Sequence, residues 1–240
     1  MSIDDRDVRA ADTRMARAVY RFFRRLILLF GALWWRLSVE GLERLPDGPF
    51  VLSPVHRSYI DTPLMAVIPR RMRFMGKAEV WKYGFLGRLM TMLGGFPVER
   101  GTADRDALHL AIDVIENGEP VVLFPEGTRR DGPTLFPLFD GPAYVAGRTQ
   151  VPIVPVGIGG SARSMPRKAR FLRPTKIHII VGEPLDPPVR KESGRVSRRS
   201  VSERTAELSA AVQALYDEAQ AKVGTPNEPE LDDDGAAQAS

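Results

Sequence analysis

Pro120-Val121-Val122-Leu123-Phe124-Pro125-Glu126-Gly127-Thr128-Arg129 decides the fold. Its unbroken apolar run has the character of a strand buried on both faces of a parallel sheet. The run delivers a carboxylate, a glycine, a hydroxyl and a guanidinium at its carboxyl end, where ligands bind in open α/β sheets. Upstream, Leu108, Ala111, Ile112 and Ile115 share one helical face within Asp104 to Asn117, and Gly118 is the stop. Downstream, Val151-Pro152-Ile153-Val154-Pro155-Val156 reads as another strand, its two prolines placing it at a sheet edge or a bulge.

The same alternation runs outward in both directions. Phe50-Val51-Leu52, Arg73 to Gly76, Phe96 to Val98 and Lys176 to Val181 are strand candidates. Thr62 and Pro63 read as the N-cap and first residue of a helix, and Trp81 to Met92, Ala143 to Arg148 and Glu203 to Val223 as further helices. The fold class expected is α/β: a single domain with a mostly parallel, mixed central sheet flanked by helices.

At 240 residues the chain is long enough to bury a substantial core. The absence of cysteine excludes disulfides, thiolate metal sites and a cysteine nucleophile, and it fits a reducing compartment. The net charge of +4 is modest but unevenly spread. From Arg14 to Arg36 there are arginines and no acids, around the apolar run Leu26 to Trp35. That run is about half the ~20 residues a spanning helix needs, so it reads as an amphipathic helix lying in the membrane interface. The alternative is a helix packed on the core. The organisation expected is a lead-in and interfacial helix over 1–37, the α/β domain over 38–188, a basic linker and terminal helix over 189–223, and an acidic, disordered tail over 224–240.

Three polar clusters follow strands: His56 and Asp61 after the Phe50 strand, Arg100 after the Phe96 strand, and Glu126 to Arg129 after the Val121 strand. Five residues of regular helix would set His56 and Asp61 ~140° apart. With the helix starting near Thr62, His56 lies in the preceding turn and can fold back on Asp61. A carboxylate on one ring nitrogen fixes the tautomer and leaves the other nitrogen as proton acceptor. Alone, the pair reads first as a capping aspartate beside a surface histidine. Arg129 reads as a solvated or ion-paired arginine or, since its fork suits phosphate and Gly127 permits close backbone approach, as a phosphate ligand. Glu126 could orient a substrate hydroxyl or pair with Arg129 or Arg100. His109 and His178 read as structural. There is no His-Glu-x-x-His and no other metal-ligand cluster. The basic run Arg163, Arg167, Lys168, Arg170 and Arg173 has only Phe171 interleaved, which argues against nucleic acid.

In combination these residues resemble the 1-acylglycerol-3-phosphate (lysophosphatidic acid) acyltransferase family and its glycerolipid acyltransferase relatives. His56 and Asp61, with Ser58 between, match its first block, and Phe96 to Arg100 the second. Phe124 to Arg129 is the third, unbroken, and Val151 to Val156 the fourth. Three positions depart from the family pattern: Val55 where asparagine commonly precedes the histidine, Glu99 where aspartate is usual, and Asp140 where a lysine is common.

The resemblance implies transfer of a fatty acyl chain from acyl-CoA or acyl carrier protein, as co-substrate, to the free hydroxyl of a lysophosphatidic-acid-type glycerolipid. His56 would be the general base and Asp61 its partner. Arg100 and Arg129 would hold the phosphate, Glu126 would contact the glycerol, and Gly127 and Thr128 would complete the acceptor site. No cofactor or metal is implied. The partners implied are lipid substrates and a membrane surface, with the protein peripheral on the cytoplasmic face of the cell membrane. Other acceptors, such as glycerol-3-phosphate or another lysophospholipid, stay open. So do a hydrolase and a non-catalytic lipid-binding protein.

Overall fold

The computed structural model describes residues 13–98, 104–166, 169–190 and 195–227. Seven strands form one mixed sheet: β1 (Ser38–Glu40), β2 (Val51–Pro54), β3 (Arg73–Lys77), β4 (Gly95–Val98), β5 (Val121–Val122), β6 (Ile153–Gly159) and β7 (His178–Val181). Their order across the sheet is β1-β7-β6-β2-β5-β3-β4. All neighbouring pairs are parallel except β6 with β7. The helices are α1 (Arg14–Trp34), α2 (Asp61–Leu64), α3 (Gly84–Met92), α4 (Asp104–Glu116), α5 (Gly141–Thr149), α6 (Ser161–Ser164) and α7 (Arg198–Lys222).

The expected α/β class holds, and the apolar runs explain why. Val51 and Leu52 of β2, Val121 and Val122 of β5, and Ile153, Val154 and Val156 of β6 are all buried. Covered on both faces, such strands need no polar alternation. Against them pack Ala111, Val114 and Ile115 of α4 and Ala143, Val145 and Ala146 of α5.

Several boundaries differ from the reading of the sequence. β6 is not an edge strand: it lies between β2 and β7. Pro155 is tolerated there because the pairing register slips by one residue between the Ile153–Leu185 bridge and the Val156–Val181 pair. Residues 182–184 thus face only Val154 and Pro155, a bulge, and the Pro155 carbonyl still accepts from Gly182 N–H at 2.9 Å. The helix after β2 begins at Asp61 rather than Thr62 and passes at Met65 into a single 3₁₀ turn. β1 was not anticipated; three half-exposed residues carry no periodic signal.

Two features beyond the central strands matter for the site. Helix α7 lies directly on β6, because Gly157 and Gly159 leave room for its backbone: a Cβ at either would stand 2.2 Å from Leu215 O or Ala219 O. Helix α1 starts at the Thr13 cap, whose Oγ1 accepts from Ala16 N–H at 3.1 Å. It is tied to the domain by Tyr20 Oη donating to Arg70 O and by Arg24 donating to Ile68 O and Val67 O. Its outward side carries Phe22, Leu26, Leu29 and Leu33 in one exposed stripe, flanked by exposed Arg21 and Arg25. Of the paired tryptophans, Trp34 shares that exposure and Trp35 is buried in the core.

Candidate active site

The turn leaving β2 is built around one carboxylate. Asp61 is fully buried, and its Oδ2 accepts from the backbone N–H groups of Arg57 at 2.7 Å and Ser58 at 2.6 Å. The same oxygen lies 3.2 Å from Nδ1 of His56. Two amides fix the carboxylate, and the carboxylate in turn fixes the imidazole. With Nδ1–H donating to Asp61, Nε2 carries the lone pair, and among the described residues it has no hydrogen-bond partner. The ring stacks on Phe124, centroids 3.9 Å apart and planes at 23°, which sets its tilt. The His56 side chain remains 15% exposed while Asp61 is at 0%, so the free nitrogen is the accessible end of a buried pair.

The loop after β5 closes the other side. Glu126 is 1% exposed. Its Oε1 accepts from His56 N–H at 3.0 Å, and its Oε2 pairs with Arg57 Nη1 at 2.5 Å. Both oxygens are therefore occupied. Among the described residues the charged partner of Glu126 is Arg57 rather than Arg129. Gly127 adopts φ +66°, and a Cβ there would sit 2.8 Å from the Phe139 ring, so glycine is required on both counts. Thr128 is exposed at the tip of this turn. Arg129 lies over the ring of Tyr59, 3.1 Å from its centroid, and its Nη1 has no hydrogen-bond partner among the described residues. Arg130 N–H donates to His56 O at 3.0 Å, pinning the loop to the histidine turn.

Of the residues singled out in the sequence, His56, Asp61, Glu126, Gly127, Thr128 and Arg129 belong to these two adjoining segments. Arg100 lies outside the described residues, and its strand β4 is separated from β5 by β3 rather than adjacent to it. Arg167, Lys168 and the tail from 228 are likewise outside them. Asp140, the acid in place of a lysine, accepts from Thr205 Oγ1 of α7 at 2.7 Å, so its carboxylate is engaged by the scaffold. Two residues went unrecognised in the sequence, Arg57 and Tyr59. The signal for Arg57 is a matter of charge balance: a buried Glu126 needs a cation, and the arginine beside His56 is available once β2 and β5 are neighbours. The Ser58 hydroxyl donates to Met165 O at 2.9 Å, which excludes it as a nucleophile poised on His56.

Beside Thr62 and Pro63, an apolar cavity of about 290 Å³ opens between α1 and α3, lined among others by Phe23, Ile27, Met65, Phe74 and Met90.

The molecule is thus an α/β domain with a mostly parallel sheet and an aspartate-oriented histidine at the end of its central strand. The chain belongs to the acyltransferase family, whose model matches residues 36–159. It is similar to a chloroplastic 1-acyl-sn-glycerol-3-phosphate acyltransferase of Brassica napus, 28% identical over 63% of this chain and 46% of that protein. It is also similar to the 1-acyl-sn-glycerol-3-phosphate acyltransferase of Bacillus subtilis, 26% identical over 70% of this chain and 82% of that one. The chain spans about half the length of the plant relatives it matches. Among solved structures, the 1-acyl-sn-glycerophosphate (LPA) acyltransferase PlsC of Thermotoga maritima superposes with a TM-score of 0.67 at 26% identity, covering 89% of this chain and 83% of that one.

Proposed function

We propose that this protein transfers a fatty acyl group from an acyl thioester, acyl-CoA or acyl carrier protein, to the free hydroxyl of a lysophosphatidic-acid-type glycerolipid, giving phosphatidic acid. The observation that carries the proposal is the His56–Asp61 pair, a buried carboxylate holding Nδ1 while Nε2 stays free. His56 Nε2 takes the hydroxyl proton as the oxygen attacks the thioester carbonyl. The C–S bond then breaks, and the imidazolium returns its proton to the departing thiolate, which leaves as the thiol and restores neutral His56. Asp61 stabilises that imidazolium. The thioester is already activated, so neither a metal nor a covalent acyl-enzyme is required. Base catalysis of this kind contributes ~10²–10⁴-fold, and positioning adds to it.

Arg129 and Arg100 hold the acceptor phosphate, with the Gly127–Thr128 turn beside it. Tyr59 packs its ring against the Arg129 guanidinium, whose buried Nη1 has no hydrogen-bond partner among the described residues. The apolar cavity lined by Thr62 and Pro63 of α2, Ile27 of α1 and Met90 of α3 is the candidate seat of the acyl chain. Asp140, held by Thr205, takes no part in phosphate binding, which keeps glycerol-3-phosphate and other lysophospholipids as rival acceptors. Product analysis with acyl-CoA and acyl carrier protein donors against these acceptors separates the readings. Transfer to lysophosphatidic acid above the others supports the proposal. Free thiol released without acceptor would show a hydrolase, and lipid binding with no product a non-catalytic carrier.

Among the described residues no helix is long and apolar enough to cross a membrane. The exposed stripe of α1 with its flanking arginines supports a peripheral seat on an anionic leaflet, with the cytoplasmic face supplying the donors. Leu29→Glu combined with Leu33→Glu should abolish flotation with phosphatidylglycerol-containing vesicles. Undiminished flotation would overturn the assignment of α1.

A further inference from the structure

Arg57 is the most deeply buried guanidinium near the site, 1% exposed. Its Nη1 pairs with Glu126 Oε2, its Nη2 donates to Thr134 O at 3.2 Å, and its plane lies 5.2 Å over the Tyr216 ring of α7. Glu126 then passes the constraint to His56 through the backbone N–H. The chain of contacts thus runs from α7, through the loop at Thr134, to the catalytic turn. The same helix holds that loop a second time: Gln213 accepts from Leu135 N–H at 2.7 Å and donates to Pro133 O at 3.1 Å. Helix α7 lies beyond residues 36–159, the region the family model matches.

A buried ion pair is a poor means of stabilising a fold, since an apolar pair of similar volume does as well or better. Beside a general base it has two other consequences. It neutralises the Glu126 carboxylate, which otherwise would bear on the imidazole, and it fixes the backbone from which the imidazole hangs. We infer that Arg57 is a positioning residue for the transfer reaction, acting through Glu126 to set both the placement and the proton affinity of His56, with α7 as its support. The inference rests on the general-base role of His56.

The charged and titratable groups around His56 are Asp61 on its ring, Glu126 and Arg57 at its backbone, Arg129 and Arg130 from the loop after β5, and Tyr216 from α7 behind Arg57. Arg57→Met leaves Glu126 uncompensated, which favours the imidazolium. The acidic limb of the kcat/KM profile should move up by roughly half to one pH unit. Glu126→Gln leaves Arg57 uncompensated while keeping an acceptor for His56 N–H, so the limb should move down by a similar amount. In the double variant the limb should return to its wild-type position. Turnover in Arg57→Met should fall roughly 10- to 100-fold with little change in KM, the scale of a misplaced catalytic group.

A purely structural role predicts lower turnover and a lower melting temperature with the limb unmoved. If both single variants leave the limb in place or shift it in the same direction, the inference is overturned. Should Arg57→Met fail to fold, Glu126→Gln and Arg57→Lys decide the matter: the first must still lower the limb, and the second, which keeps the charge but loses the fork, must leave it in place with reduced turnover. Failure of the base reading itself is recognised separately, by His56→Ala retaining turnover.

Discussion

His56 and His178 present the same side chain in two roles. Each has Nδ1 bound to one partner and a carboxylate nearby. His178 Nδ1 lies 2.6 Å from Ser38 Oγ, and its Nε2 stands 3.4 Å from Glu40 Oε1, outside hydrogen-bonding geometry. It is buried at the Ser38–His178 pairing of β1 with β7, far across the sheet order from β5. His56 sits at the carboxyl end of the central strand, with a fully buried carboxylate on Nδ1 and an accessible Nε2. The difference is the placement of the carboxylate. Asp61 is locked by two backbone amides and faces the ring nitrogen that needs orienting. Glu40 is half exposed, shared with Lys222, and faces the other nitrogen. Only the first arrangement leaves an unpartnered ring nitrogen on a partly exposed side chain; that of His178 is buried.

The sharpest way to break this contrast is to remove each ring in turn. His56→Ala should lower acyl transfer by ~10²–10⁴-fold, with the melting temperature nearly unchanged, because a partly exposed ring at the end of a strand supports little packing. His178→Ala should do the reverse. It opens a buried gap between β1 and β7 and leaves Ser38 without its partner, at a cost of roughly 2 kcal/mol in urea unfolding, while turnover per folded molecule stays as in the wild type. If His178→Ala lost activity faster than stability, or His56→Ala kept near-normal turnover, the division of roles would be wrong.

How the sequence carried this division is instructive. Val121 to Phe124 and Phe50 to Leu52 announced buried strands because strands covered on both faces have no alternative composition. The turn residues after them, His56, Asp61 and the Glu126–Arg129 segment, were legible because ligands gather at strand ends. What stayed hidden depends on adjacency. Nothing in the chain's order says that β2 and β5 are neighbours, so the partner of Glu126 could not be read and Arg57 went unrecognised. The same holds for Asp140, whose engagement with Thr205 spans from α5 to α7. Pro155 misled in part because a sheet absorbs a missing donor by a one-residue slip as readily as by ending. β1 escaped because three residues are too few to show a period.

The smallest expected effect sharpens the comparison from the side of the structural histidine. Burial, the dominant influence, holds the His178 pKa below its ordinary 6.5, and Glu40 only partly opposes it. Lys222 and Lys176 push the same way as burial, while Glu218 pulls weakly against it. Between the folded value and 6.5, the unfolded chain binds a proton at this position that the folded chain does not. Stability therefore rises with pH across that window. It is undiminished by His178 above 6.5, falls as the pH drops below it, and stops falling from this source once the folded value is passed. Urea unfolding at about pH 7.5 and about pH 5.5 tests the sign, with His178→Gln as the control that carries no ionisable ring. The wild type should lose more stability between the two conditions than the variant does. Carboxylates that begin to titrate near the lower pH are common to both proteins and cancel in the difference. An equal loss in the two would mean that the folded protein accommodates a charged His178, and the contrast with His56 would then rest on geometry alone.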